Sequence, residues 1–418
     1  METLRSSPAV GAILLSISYA LALFHRMAGA LLGVVLAAAL HLGLDDLAMI
    51  AAVFFWVYAL LQLPCGLLVD LLGPRRLAVL GCMISGAGSL LFAAAEGMTT
   101  AATGRGVIAT GCAAMFVSLM RHVKTNWPAR QVATISGRGI LVGNLGAIAS
   151  AAPLGYALAV VDWRALWVGL GMCSLVLSAA LWFLMKDARE PEHPGERLRT
   201  IAPELRSVLS NPVNHVGFFV LAGLSGAYYA LSCFWAVPLL AARGFTMSSA
   251  ALAVSGLIAG YAVGASLLGW LGDRTSRATT LSCTCAGAAL CWSLLAADLP
   301  GSEWGSALLL FALGFCCGGF NLVYSLVTER NPVEHAGTVT AYVNIGIFVG
   351  AGALQVVSSS LSVSHSGDCG VILGPMLFAT LLALVASLSL KRRPGRCEAN
   401  SVQPVAEVWS SARVPPLA

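Results

Sequence analysis

The chain has 418 residues, of which 58% are hydrophobic and only 10% charged, and its mean hydropathy is +0.83; in ordinary soluble domains about a quarter of residues are charged. This composition excludes a water-exposed surface over most of the chain, so the surplus apolar surface faces a lipid bilayer. The net charge of +5 does not mark a nucleic-acid binder, because the basic residues are scattered over short segments between apolar runs and form no single stripe.

A helix crosses roughly 30 Å of hydrocarbon with about 20 apolar residues, and only helices or closed barrels satisfy their own backbone there. The ten-residue alternation of barrel strands is absent. In chain order the apolar runs predict spans at 10–39, 47–71, 76–95, 100–122, 133–160 and 164–185. Six more follow at 213–242, 248–271, 277–297, 304–327, 336–362 and 370–390. The first run is longer than the 7–15 residue core of a signal peptide and carries Arg26, so it is read as an uncleaved span.

The expected organisation is a six-helix bundle over 1–185, a charged and Pro-rich solvated connector over 186–212, a second six-helix bundle over 213–390, and a disordered tail over 391–418. Basic residues are retained on the cytoplasmic side. With the N-terminus inside, Arg75, Arg76, Arg121, Lys124, Arg130, Arg274, Arg277, Arg330 and Lys391 are cytoplasmic. The opposite loops hold Asp45, Asp46, Glu96, Asp162, Asp298, Glu303 and Asp368. Both termini are therefore placed inside, in a bacterial inner membrane.

Three landmarks recur along the chain. Gly66-x-x-x-Asp70 returns as Gly269-x-x-x-Asp273, Pro128 as Pro332, and Asn144-x-Gly146 as Asn344-x-Gly346, at offsets of 203, 204 and 200. Two halves of like orientation form a parallel repeat, which in transporters puts the substrate site between the halves near the midplane.

The segment from Gly66 through Asp70 and Gly73 to Arg75 and Arg76 resembles the loop signature of the major facilitator superfamily. Its shorter second copy holds Gly269, Asp273, Arg274 and Arg277. The resemblance extends over essentially the whole chain, although Leu71 stands where the family commonly has a basic residue. It implies an all-α membrane protein of about 12 transmembrane helices in two six-helix bundles related by a parallel pseudo-repeat. It also implies secondary transport by alternating access, with the Asp70 loop gating the cycle. Asp70 opposite Arg75 and Arg76 can form a charge-assisted latch; topology signalling by the two arginines is the blander alternative.

Arg26 lies deep inside the first span, where an arginine costs about 2.5–3.5 kcal/mol on translocon scales. Either it faces a water-filled cavity and binds a carboxylate or phosphate, or it pairs with backbone carbonyls or a neighbouring helix. Adjacent His25 is a candidate proton carrier or an interhelical hydrogen-bonding group. Arg105, within Gly104-Arg105-Gly106, resembles the family's fourth-span arginine, which implies proton coupling; the alternative is snorkelling to the headgroups. Tyr58, Asn144, Tyr228, Tyr261, Asn321 and Asn344 complete the expected substrate-binding set. Further polar and aromatic span residues are Gln62, Tyr229, Trp235, Tyr324 and Gln355, most of them expected to be packing or interhelical glue. No Asp or Glu falls in the middle of a span.

The twelve cysteines contain no C-x-x-C pair and read as small core hydrophobes. Nucleotide-loop, zinc-helix and nucleophile-elbow motifs are absent, so neither a metal, a cofactor nor enzymatic activity is expected. The leading expectation is a monomeric secondary transporter of a small organic anion, with or without a co-transported proton. Proton-coupled efflux of amphipathic drugs or metabolites is one alternative. A non-transporting membrane sensor on the same scaffold is another.

Overall fold

A computed structural model of the chain describes residues 7–186, 194–299, 302–364 and 369–391. Among them 11 helices are long and apolar enough to cross a membrane. One, Leu44–Ala93, has 50 residues, about 75 Å at 1.5 Å per residue and far more than a bilayer's hydrocarbon. Its backbone breaks at Gly73, where φ is 80° and Pro74 follows. That conformation favours glycine, and proline cannot continue the hydrogen-bond ladder. The helix is therefore two spans, which brings the number to twelve.

Span 1 comprises Pro8–Met27 and Gly29–Leu40. Spans 2 and 3 are the two parts of Leu44–Ala93, and span 4 is Met98–Asn126. Span 5, Ala129–Ala149, continues as Ala152–Val160, and span 6 is Trp163–Leu184. The later spans are Pro212–Ala242 (span 7), Met247–Arg274 (span 8), Arg277–Ala296 (span 9) and Glu303–Thr328 (span 10). Ala336–Ser364 (span 11) and Cys369–Lys391 (span 12) complete the set. Spans 1 and 5, expected as single helices, are each interrupted, at Ala28 and around Ser150 and Ala151.

Helix starts are set by side-chain caps at one loop after another. Asp162 accepts from the Arg164 amide at 2.8 Å, and Asn211 from Val213 at 3.1 Å. Thr246 accepts from Ser249 at 3.2 Å, and Ser302 from Gly305 at 3.2 Å. Each satisfies an otherwise orphaned amide. Large apolar side chains point outward along the bundle, among them Leu60, Val160, Leu308 and Val385, all more than 60% exposed. That is the surface a hydrocarbon solvent requires.

The repeat is visible in packing. Gly146 on span 5 lies so close to the Ala20 carbonyl of span 1 that a Cβ would overlap it. Gly346 on span 11 meets the Phe218 carbonyl of span 7 in the same way. Without a hydrophobic force between helices in lipid, close approach of this kind supplies the packing.

The connector differs from a plain solvated linker. Pro194–Ser210 is a helix whose Glu204 and Val208 are buried. Thr338 at the start of span 11 donates to the Glu204 carboxylate. Residues 187–193 of the connector, Asp368, and the tail from 392, which was expected to be disordered, lie outside the described residues.

The bundle has a basic end, carrying Asp70, Arg75, Arg121 and Arg277, and an acidic end, carrying Asp45, Asp162 and Asp298. Contacts between spans 1–6 and spans 7–12 close the acidic end. Ser359 donates to Asp45 at 2.5 Å. Gly352 packs against the Trp56 indole, Gly29 against the Cys233 carbonyl, and Gly155 against Ala251. The Ala152 amide donates to Ser255 at 3.3 Å. Nearest the basic end in this set is the amide of Asn344, which donates to Gln62 at 3.2 Å.

Candidate functional site

Span 7 is wound unusually around the middle of the seam between the halves. Two π-helical turns, Ala222–Gly226 and Leu231–Trp235, flank the short α-helical segment Ala227–Ala230. Such turns change the rotation of what lies between them and often occur at functional sites. Between them lie Tyr228 and Tyr229, both buried. Gly223 sits against the Ala379 carbonyl, and Gly226 against the backbone of Gly350 and Ala351. This stretch of span 7 is thereby wedged tightly between spans 11 and 12.

Arg26 occupies the seam opposite Tyr229. It is 6% exposed, and its guanidinium carbon is 4.5 Å from the Tyr58 ring centroid, 5.1 Å from Phe348 and 5.9 Å from Tyr229. Tyr58 and Arg26 come from the first half, Phe348 and Tyr229 from the second. No carboxylate of the described residues pairs with Arg26, and its Nε has no hydrogen-bond partner. Ring faces therefore carry the compensation, each such contact contributing about 0.5–2 kcal/mol.

The aromatic lining continues toward the basic end. Tyr58 and Phe348 lie 4.4 Å apart, centroid to centroid. Tyr261 stacks on Tyr228 at 4.1 Å and on Phe320 at 5.0 Å, and Phe320 meets Tyr324 edge-on at 6.0 Å. Tyr324 donates to Asn344 at 2.6 Å. Tyr261, Phe320, Tyr324 and Asn344 are only half-buried, whereas Tyr58, Tyr229 and Phe348 are buried. The cluster is thus sealed toward the acidic end and partly open toward the basic one. The hydroxyls of Tyr228 and Tyr261 and both amide atoms of Gln355 are buried without partners.

Of the expected binding residues, the structure brings Arg26, Tyr58, Tyr228, Tyr261 and Asn344 together. The others lie elsewhere. His25 is fully buried within the first half, its Nε2 3.4 Å from the Ser89 hydroxyl; consecutive helical residues point about 100° apart, so Arg26 and its neighbour cannot share the seam. Asn144 is half-buried on span 5 and Asn321 is exposed on span 10, and neither side chain makes a hydrogen bond among the described residues. Phe348, Phe320 and Phe55 were missed because phenylalanine in an apolar run is indistinguishable from ordinary packing.

Arg105 does not snorkel. It is 1% exposed; its Nη1 donates to the His25 carbonyl at 2.8 Å, at the interruption of span 1, and its guanidinium lies 4.8 Å from the Phe54 centroid. Beside it is a cavity of about 10 Å³ lined by Gly29, Leu32 and Leu47, scarcely room for one water. Among the described residues no three His, Cys, Asp or Glu side chains come within metal-binding range.

At the basic end the expected latch takes a different form. Asp70 pairs with Arg121 of span 4 at 3.5 Å. The turn at Gly73 sends Arg75 the other way, where it donates to the Trp182 carbonyl and lies over the Trp182 ring at 4.7 Å. Arg76 is exposed. In the second copy Arg277 bridges Asp273, at 2.6 Å, and Glu329, and Arg274 lies 4.2 Å from the Trp270 ring. Gly66 and Gly269 have open space around them.

Twelve apolar spans in two like-oriented halves, with polar groups gathered at the seam, define a membrane transporter fold. The sequence profile of the Major Facilitator Superfamily matches residues 14–354 and, again, 218–418, and the chain belongs to that superfamily. Solved structures agree. A bacterial homologue of the human lysosomal transporter Spinster, inward-facing and occupied, superposes with a TM-score of 0.71 at 16% identity, covering 92% of this chain and 97% of the other. The inward-open xylose transporter XylE from E. coli gives 0.70 at 11%, covering 92% and 96%. A D-xylose-proton symporter gives 0.68 at 12%, covering 93% and 99%. The protein is a multi-pass secondary transporter and not an enzyme.

Proposed function

We propose that this transporter moves a small organic anion by alternating access, with Arg26 as the anion's partner. One observation carries the reading: a cation stands buried at the seam with aromatic faces around it and, among the described residues, no carboxylate paired with it. A guanidinium in low dielectric offers two parallel hydrogen bonds to a carboxylate or phosphate, and the anion supplies the charge the protein withholds. Rocking of the halves parts Tyr58 from Phe348 and opens the box.

On this reading the basic end is cytoplasmic, since Lys and Arg are retained on that side, both termini lie on the same side, and the membrane is a bacterial inner membrane. The conformation is then closed outward and partly open inward. Uptake of labelled carboxylates and phosphate esters into proteoliposomes tests the assignment. It requires concentrative movement of at least one anion, lost in Arg26→Met; a fully active Arg26→Met protein removes it. Asp45→Cys and Ser359→Cys, joined by a bifunctional thiol reagent in a cysteine-free background, should hold the outer end shut and stop transport until the link is cleaved.

Export of amphipathic compounds is the second reading, favoured by the aromatic run Tyr229, Tyr261 and Phe320. Raised drug tolerance on expression, without anion uptake, selects it.

A further inference from the structure

Resting on the reading of Arg26 as the anion's partner, we infer a narrower substrate class: an aromatic monocarboxylate, a planar and apolar-bodied acid with a single negative charge.

The charge count comes first. Arg26 is the only arginine or lysine of the described residues that stands at the middle of the seam. Arg105, the other buried arginine inside a span, is committed to the His25 carbonyl and the Phe54 ring within the first half. One cation neutralises one carboxylate. A second carboxylate on the same substrate would enter a low-dielectric site unpaired, at a large desolvation cost. The ammonium group of an amino acid meets the same difficulty with opposite sign, since no Asp or Glu lies within the middle of any span.

The walls come second. From Arg26 toward the half-open basic end, the rings that line the way for a substrate's body are Tyr229, Phe320 and Tyr324, with Tyr261, already stacked on Tyr228 and Phe320, presenting its edge; neighbouring ring centroids are 5.0–6.0 Å apart. A planar ring stacks against such faces in offset or edge-on geometry, a gain beyond area burial that an acyl chain does not obtain. Hydrogen-bonding capacity along the same path comes down to tyrosine hydroxyls, that of Tyr261 without a partner, and one amide. Asn344 is already engaged with both Tyr324 and Gln62, so a polyol would leave several hydroxyls unsatisfied. Ring, single charge and few hydroxyls together specify the class.

The test is a matched panel titrated against the purified full chain in nanodiscs by calorimetry: phenylacetate, acetate, phthalate, phenylalanine, phenylacetamide and xylose. Phenylacetate should bind at least about tenfold more tightly than acetate, phthalate or phenylalanine, a difference of about 1.4 kcal/mol. Phenylacetamide and xylose should not bind. In Phe320→Leu the ratio of phenylacetate to acetate affinity should fall toward one, and in Arg26→Met the anions should be lost together. Acetate or phthalate binding as tightly as phenylacetate, still dependent on Arg26, overturns the aromatic monocarboxylate class and leaves the anion reading standing. Phenylacetamide binding as tightly as phenylacetate, or anion binding undiminished in a folded Arg26→Met protein, overturns both.

Discussion

Arg26 lies over the Tyr58 ring at the seam, the guanidinium carbon 4.5 Å from the ring centroid, and no carboxylate of the described residues pairs with the arginine. A cation at mid-span costs about 2.5–3.5 kcal/mol, and the three ring contacts, at about 0.5–2 kcal/mol each, return an amount of the same order. The fold therefore carries Arg26 near break-even. Arg26→Met should keep the melting temperature or shift it slightly, by about 1 °C per kcal/mol in a chain of 418 residues, while anion uptake disappears. Differential scanning fluorimetry beside the transport assay checks both halves of that statement. A large loss of stability would mean that Arg26 is structural.

Arg105 should behave in the opposite way. Its Nη1 holds the His25 carbonyl at 2.8 Å where span 1 is interrupted. Removing the donor leaves a buried acceptor unsatisfied, at about 1–3 kcal/mol. Arg105→Met should unfold at lower temperature than the parent, and the contrast with Arg26→Met in one fluorimetry experiment separates the two buried arginines.

Glycines at the close approaches should be intolerant, and those of the loop motif tolerant. Gly146→Val and Gly346→Val each drive a side chain into a neighbouring carbonyl, that of Ala20 or Phe218, and overpacking of this kind costs about 1–3 kcal/mol or more. Gly66→Ala and Gly269→Ala meet open space in this conformation. Monodisperse yield on size exclusion should fall for the first pair and hold for the second. If Gly66→Ala nevertheless slows transport, its space is needed in the other conformation.

Asp70 and Arg121 form a partly exposed ion pair, with side chains 20% and 32% exposed. Such pairs contribute about 0–1 kcal/mol to stability. Asp70→Asn should accordingly leave the melting temperature within a few degrees of the parent while lowering the transport rate about tenfold or more, provided the pair biases the conformational equilibrium. An initial-rate assay with matched reconstitution measures it, and an unchanged rate would reduce the pair to a surface contact.

Much of this was legible in the chain itself. Apolar run lengths give the twelve spans, because backbone satisfaction in hydrocarbon leaves helices as the only option. The Gly66, Pro128 and Asn144 landmarks give the repeat, and Arg26 stands out by cost alone. What could not be read depends on rotation and pairing. The π-turns around Tyr228 and Tyr229 follow from wedging against spans 11 and 12, which periodicity does not encode. His25 was expected beside Arg26 in the substrate-binding set, yet one residue along a helix turns it into the first half, toward Ser89. Asp70 was expected opposite Arg75, but the Gly73 turn delivers Arg75 to Trp182 and leaves the aspartate to Arg121, a choice made by tertiary geometry.

The most direct test of Arg26 as the anion's partner in an alternating-access cycle is counterflow. Proteoliposomes preloaded with unlabelled phenylacetate, or with another anion shown to bind, are diluted into trace labelled compound. The expected result is a transient overshoot of label inside vesicles bearing the parent protein and a flat trace for an equally well reconstituted Arg26→Met. An equal overshoot from both proteins would contradict the account.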